Sequence, residues 1–160
     1  MTTDWRILPL ADRPEAIPTL AIALWDHWGA VFPQKTVAYR IASLAGRTNR
    51  DRVPLAVVAI DAGGAALGMA SIMFDDLEMR IDLNPWLATV FVIPSMRGKG
   101  LGEALCAAAE AEAWRIGIER LYLYTFDKPG YYARLGWRDF EIVDYNGRPT
   151  PVMVKDRPAP

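Results

Sequence analysis

The sequence predicts an α/β fold in which a mixed sheet carries helices on its faces. Helix-like and strand-like periodicities intermingle without strict alternation. Leu55-Ala56-Val57-Val58-Ala59-Ile60 is unbrokenly apolar, as expected of a strand covered on both faces. A glycine-rich turn, Arg97 to Gly102, leads from an apolar strand straight into a helix. With 160 residues, 52% apolar and 23% charged, residues 1–160 suit one domain with one core.

Taken in order, Trp5 to Leu10 alternates weakly and reads as a first strand. Asp12-Arg13-Pro14-Glu15 reads as a helix start with Asp12 as N-cap and Pro14 in the first turn. Ile17, Leu20, Ala21, Leu24 and Trp28 then follow helical spacing. A second helix is expected from Gln34 to Leu44, with Val37, Ile41 and Leu44 on one face and Gly46 ending it. After the strand at Leu55, Asp61-Ala62-Gly63-Gly64 signals a hairpin into Ala66–Phe74. Asp75 to Pro85 is polar and reads as a loop. Trp86–Ile93 is a central strand, Leu101–Ile116 a helix and Leu121–Phe126 a further strand. Tyr131–Leu135 reads as a short helix. Strands at Trp137–Asp144 and Pro151–Lys155 close the chain around Asn146-Gly147, a strong hairpin signal.

Composition narrows the function. Eighteen Lys and Arg against nineteen Asp and Glu leave no basic excess that would point to nucleic acid. No apolar run reaches the length a bilayer requires, and Met1 to Leu10 lacks the apolar core of a leader peptide. The single cysteine, Cys106, can form neither an intrachain disulfide nor a multi-thiolate metal site. A cytoplasmic protein with no metal and no membrane or nucleic-acid partner is expected. Cys106 lies among alanines and reads as a small buried hydrophobe.

The segment richest in chemistry is Val92-Ile93-Pro94-Ser95-Met96-Arg97-Gly98-Lys99-Gly100-Leu101-Gly102. The first N–H groups of a helix have no partner within it, and they sit at the positive end of its dipole. Glycines let the turn take positive φ and let a ligand approach the backbone. Together these make a phosphate cradle, with Arg97 and Lys99 beside it. The order is not that of a Walker A loop. Nor is it a dinucleotide fingerprint: counted from Gly98 the last position is Glu103, and counted from Gly100 it is Leu105.

The order Arg-x-x-Gly-x-Gly after Val92-x-Pro94 resembles the pyrophosphate-binding motif of the GNAT superfamily of acetyl-CoA-dependent N-acetyltransferases. Tyr131-Tyr132-Ala133-Arg134-Leu135-Gly136-Trp137 resembles that family's downstream aromatic segment, one helix and one strand later. The resemblance is sharpest from Trp86 to Phe140. It implies a largely antiparallel central sheet of about seven strands, with helices on both faces and two central strands splayed to hold acyl-CoA. By resemblance these are Trp86–Ile93 and Leu121–Phe126. The backbone at Phe91 and Val92 then bonds the pantetheine arm, with the Val92 N–H facing the thioester carbonyl. Arg97, Gly98, Lys99, Gly100, Leu101 and Gly102 hold the pyrophosphate, and Tyr132 is the general acid. Thr125 stands where the family often has an asparagine that bonds the cofactor. Arg120 replaces a glutamate that one protein-acetylating branch uses.

For the general base, Asp75, Asp76, Glu78 and Asp82 all lie in the loop before the first central strand, and Asp82 is nearest to it in sequence. An acceptor that binds already neutral needs none of them. His27 borders the implied acceptor region but reads as a packed helix-end residue. Trp25, Trp28, Phe32 and Trp86 are candidates for an apolar pocket.

The resemblance implies transfer of an acetyl group to a primary amine by direct attack in a ternary complex. A small amine is favoured over a protein or peptide N-terminus. A non-catalytic acyl-CoA sensor would keep Arg97–Gly102 but have no use for Tyr132. The last strands, Trp137–Lys155, are where a homodimer contact would form.

Overall fold

The computed structural model describes residues 4–160, so Met1–Thr3 of the segment examined for a leader lie outside the described residues. Seven strands form one sheet: β1 (Arg6–Pro9), β2 (Leu55–Ile60), β3 (Ala66–Met73), β4 (Trp86–Val92), β5 (Arg120–Tyr124), β6 (Arg138–Tyr145) and β7 (Arg148–Asp156). Their order is β1-β2-β3-β4-β5-β7-β6. Every neighbouring pair is antiparallel except β4 and β5. Four α-helices, α1 (Ile17–Trp28), α2 (Val37–Ala45), α3 (Leu101–Arg115) and α4 (Pro129–Arg134), connect them.

The apolar run of β2 serves two cores. Leu55, Val57 and Ala59 pack with Leu105, Ala109 and other residues on the α3 side. Ala56, Val58 and Ile60 pack with Leu20, Leu24 and Leu44 on the α1–α2 side. Period-two alternation sends successive side chains to opposite faces, and both faces are apolar because both are covered.

Asp12 does not cap a helix. Leu10–Asp12 and Pro14–Ala16 are two 3-10 turns, and α1 begins only at Ile17. Pro18 explains the delay. In a helix started at Asp12 it would be an interior residue, lacking an N–H and colliding with the preceding turn, but in α1 it falls in the first turn. The Asp12 carboxylate instead pairs with Arg50.

Helix α2 starts three residues later than its polar lead suggests, because the Thr36 hydroxyl caps it by accepting from the Tyr39 N–H at 3.1 Å. Its inward face also differs from the expected one: Arg40 and Leu44 are buried while Ile41 is exposed.

Strand β7 runs longer than expected, through Pro149 and Pro151. The β5 ladder ends at Tyr124–Val152, and beyond it the Pro151 carbonyl still accepts from the Thr125 N–H at 3.1 Å, a bond that needs no proline N–H, while Pro149 borders β6 alone. Asn146 and Gly147 take positive φ of 51° and 85°, and the Asp144 carboxylate accepts from the Gly147 N–H, forming the expected tight turn.

Candidate active site

The sheet opens at its one parallel junction. β4 and β5 meet only at Trp86–Tyr122, where the Tyr122 N–H donates to the Pro85 carbonyl at 3.1 Å. Beyond that point they separate, and a cavity of about 520 Å³ lies between Leu87–Val90 on one wall and Leu123–Phe126 on the other.

A bulge accompanies the opening. The β3–β4 register shifts so that Thr89 and Val90 stand against Ala70 alone. Thr89 takes φ 53°, a strained value for a β-branched residue. Arg47 holds it there. Its Nη1 donates to the Thr89 and Ser71 hydroxyls at 2.9 and 3.0 Å, and its Nη2 donates to the Ser43 hydroxyl at 2.9 Å. Burial pulls the Arg47 guanidinium down to about 10, so it stays charged at neutral pH.

The glycine-rich turn follows β4, one edge of the opening, and leads into α3. Gly98 and Gly100 take φ of 76° and 85°, a region that L side chains enter only with strain. Helical bonding begins with the Ala104 N–H donating to the Gly100 carbonyl, which leaves the N–H groups of Leu101, Gly102 and Glu103 without helical partners. The Leu101 side chain is core, so only its backbone is offered to a ligand. At Gly102 a Cβ would lie 2.9 Å from the Tyr131 hydroxyl, so this glycine also makes room for the tyrosine turn. Lys99 is exposed. Arg97 folds back, its Nε donating to the Val92 carbonyl at 3.0 Å and its Nη2 lying 3.4 Å from His27 Nδ1. The Ile93 N–H donates to Leu67 on β3, so strand alternation turns the Val92 N–H toward the β5 side, where the gap lies. Phe91 is buried and packs its ring against His27 and Trp28.

Tyr132 reaches the cavity from α4, and burial pushes its phenol well above the ordinary value. It therefore holds its proton through the neutral range. Thr125 lines the cavity as well, but its hydroxyl already accepts from the Lys128 N–H at 3.0 Å and anchors the start of α4. His27 is on the wall, and burial, then Arg97 and Lys128, lower its pKa, so it is neutral at pH 7. Burial pushes the Cys106 thiol up to about 12, consistent with an inert core residue.

The loop carboxylates sort in space differently from their order in the chain. Asp82 is exposed and away from the cavity wall, where Arg80 donates to it at 2.9 and 3.0 Å and holds it below the ordinary range. Asp75 and Glu78 are exposed too. Asp76 is the one on the wall. Burial raises its pKa, while Lys35 and Arg47 pull in the other direction. Lys35, Arg40 and Arg47 are not site candidates in the sequence. Lys35 stands just before α2, Arg40 on it, and Arg47 opens the polar run that ends it.

The protein is thus an α/β fold whose mostly antiparallel sheet splits at one parallel junction, with a glycine-rich turn leading from the split strand β4 into α3. Residues 17–137 match the Acetyltransferase (GNAT) family, and the chain belongs to it. Mouse (Mus musculus) N-alpha-acetyltransferase 80 is 29% identical over 135 residues, 82% of this chain and 40% of that protein. Mycothiol acetyltransferase of Pseudarthrobacter chlorophenolicus is 30% identical over 161 residues, 89% of this chain and 49% of that protein. The chain thus spans half or less of the length of these relatives. The fold is shared with aminoglycoside 6'-acetyltransferase type Ii, at TM-score 0.77 and 21% identity over 97% of this chain and 99% of that one. It is also shared with an aminoglycoside 6'-N-acetyltransferase complexed with coenzyme A, at TM-score 0.66 and 19% identity over 89% and 94%.

Proposed function

We propose that the chain transfers an acetyl group from acetyl-CoA to a small primary amine by direct attack in a ternary complex. The observation that supports this reading is the cavity at the split of β4 and β5, lined by Tyr132 and Asp76, with the turn Arg97–Gly102 following β4 and Arg97 reaching the cavity residue His27. Acetyl-CoA, when bound, supplies the acyl group as an activated thioester. The N–H groups of Leu101, Gly102 and Glu103, which have no helical partners, would hold its pyrophosphate. The Val92 N–H stabilises the charge that develops on the carbonyl oxygen as the C–N bond forms. Tyr132 gives its proton to the sulfur as the C–S bond breaks. Asp76, rather than Asp82, accepts the proton that the amine sheds.

Thermal unfolding with and without acetyl-CoA, on wild type and Arg97→Ala, tests the first half of this reading. A ligand that binds only the folded state raises Tm, and the rise should shrink in the variant. Release of free thiol across a panel of amines tests the second half. No shift at saturating acetyl-CoA would overturn the reading. Binding without turnover on any amine would favour a sensor instead.

A further inference from the structure

The cavity is lined by more cations than carboxylates. Lys35, Arg40, Lys128 and Arg148 line it, against Asp76 and Asp127. Lys128 and Arg148 are exposed, Lys128 near His27 and Arg148 over the Phe126 ring. Arg40 is different. It is 7% exposed, its Nε donates to the Lys35 carbonyl at 3.1 Å, and its Nη2 is fully buried with no partner. A charged donor left bare in a folded core is costly and uncommon. Lys35 is half-buried over the Phe32 ring, 4.7 Å from its centroid. Among the described residues neither Lys35 nor Arg40 has a carboxylate within ion-pair distance.

These cations do not belong to the cradle. Lys35 feels Asp76 and Glu78 on one side and Arg40 and Arg47 on the other, and Arg47 is fixed to Thr89 in the middle of β4, whereas the cradle follows Val92. Lys35 and Arg47 therefore flank the cavity carboxylate Asp76, with Arg40 next to them.

Resting on the transferase reading above, we propose that the acceptor is a primary amine that also carries a carboxylate. Its carboxylate sits on Arg40 and Lys35, and its amino group faces Asp76. Arg40 lines the cavity, so its guanidinium charge gains a counter-ion, and the two ends of the ligand meet opposite charges. An acceptor carrying several protonated amines and no anion would instead meet like charge.

The test compares thiol release from acetyl-CoA with common L-amino acids, their α-carboxamides and the matching decarboxylated amines, for wild type, Arg40→Met and Lys35→Met. A charge-assisted bond to a carboxylate predicts a preference of roughly 10- to 100-fold in kcat/KM for the carboxylated member of a pair. That preference should collapse in Arg40→Met, mainly through KM. Methionine matches the length of the buried stem, and Lys35→Met provides a second variant at a less buried position.

The same ligands are tested for raising the Tm of the CoA-saturated protein. Turnover that ignores the carboxylate, or a preference that survives in both variants, overturns the inference and leaves the transferase standing. Arg40-dependent stabilisation by carboxylates with no turnover on any amine keeps the anion site and sinks the transferase. Neither turnover nor stabilisation overturns both.

Discussion

Lys155 on β7 ties three elements to one ammonium. Its Nζ bonds Glu110 of α3 at 2.5 Å and donates to the Leu135 carbonyl, just past α4, at 2.7 Å. The side chains of Glu110 and Lys155 are 6% and 22% exposed, so water cannot stand in for the ammonium at the carboxylate. Lys155→Met keeps an aliphatic stem beside Gly136 and removes both bonds. Stranding a buried charge costs about 3–5 kcal/mol. The orphaned carbonyl adds about 1 kcal/mol. Partial exposure of Lys155 favours the lower end, so roughly 3 kcal/mol is expected, or about 6–12 °C in Tm for a chain of this size. Urea unfolding of wild type and variant measures it. A deficit under about 0.5 kcal/mol, the range of an ordinary surface change, would refute the reasoning.

Tyr132→Phe should lower kcat by about 100-fold or more, the usual worth of a general acid, while acetyl-CoA still raises Tm; an unchanged kcat would remove Tyr132 from the chemistry. Asp76→Asn should lower kcat/KM and erase its acidic limb, while Asp82→Asn leaves both alone. The wild-type limb should lie above the ordinary aspartate value, because burial raises Asp76 and the base works ionised, so activity rises as pH climbs through that elevated pKa. Gly102→Ala should change stability little, since a helical gain of about 1 kcal/mol offsets the displaced Tyr131 hydroxyl, yet turnover should fall as the Tyr131–Tyr132 turn moves.

What the sequence reveals best is what local physics dictates. The two-sided burial of β2 shows as an unbroken apolar run, the cradle as a glycine turn opening a helix, and the last hairpin as Asn-Gly. The cavity wall opposite the cradle is harder to read, because tertiary folding decides it. Asp82 is nearest to β4 along the chain, but the 3-10 turn Glu78–Arg80 carries it outward. Asp76 lies three residues past Met73, which pairs with Trp86 at the closed foot of the split, and its side chain is on the cavity wall. Arg40 stands at i+3 from Val37, on the same helical stripe as Ile41 and Leu44, but its charge reads as a reason for exposure; the packing of α2 turns it inward and Ile41 out. Thr89 gives no sign of a bulge, since a β-branched residue suits a regular strand. Its positive φ exists because Arg47, 42 residues earlier, holds its hydroxyl.

The two proposed acid–base groups are moved the same way by the same cause. Burial raises both Tyr132 and Asp76. For a phenol this means keeping its proton until a leaving group demands it. For a carboxylate it means a stronger base, closer to the working pH. Lys35 and Arg47 oppose the rise at Asp76 and favour its ionised form before the acceptor arrives. A carboxylate seated on Arg40 and Lys35 would neutralise part of that opposition. Asp76 would then become more basic at the moment an ammonium needs to lose its proton. The acidic limb of kcat, which reports the ternary complex, should therefore lie at higher pH than that of kcat/KM, which reports the enzyme before the acceptor binds. Removing the acceptor's carboxylate should bring the two limbs together. Limbs that coincide for carboxylated acceptors would show that the cations and Asp76 act independently.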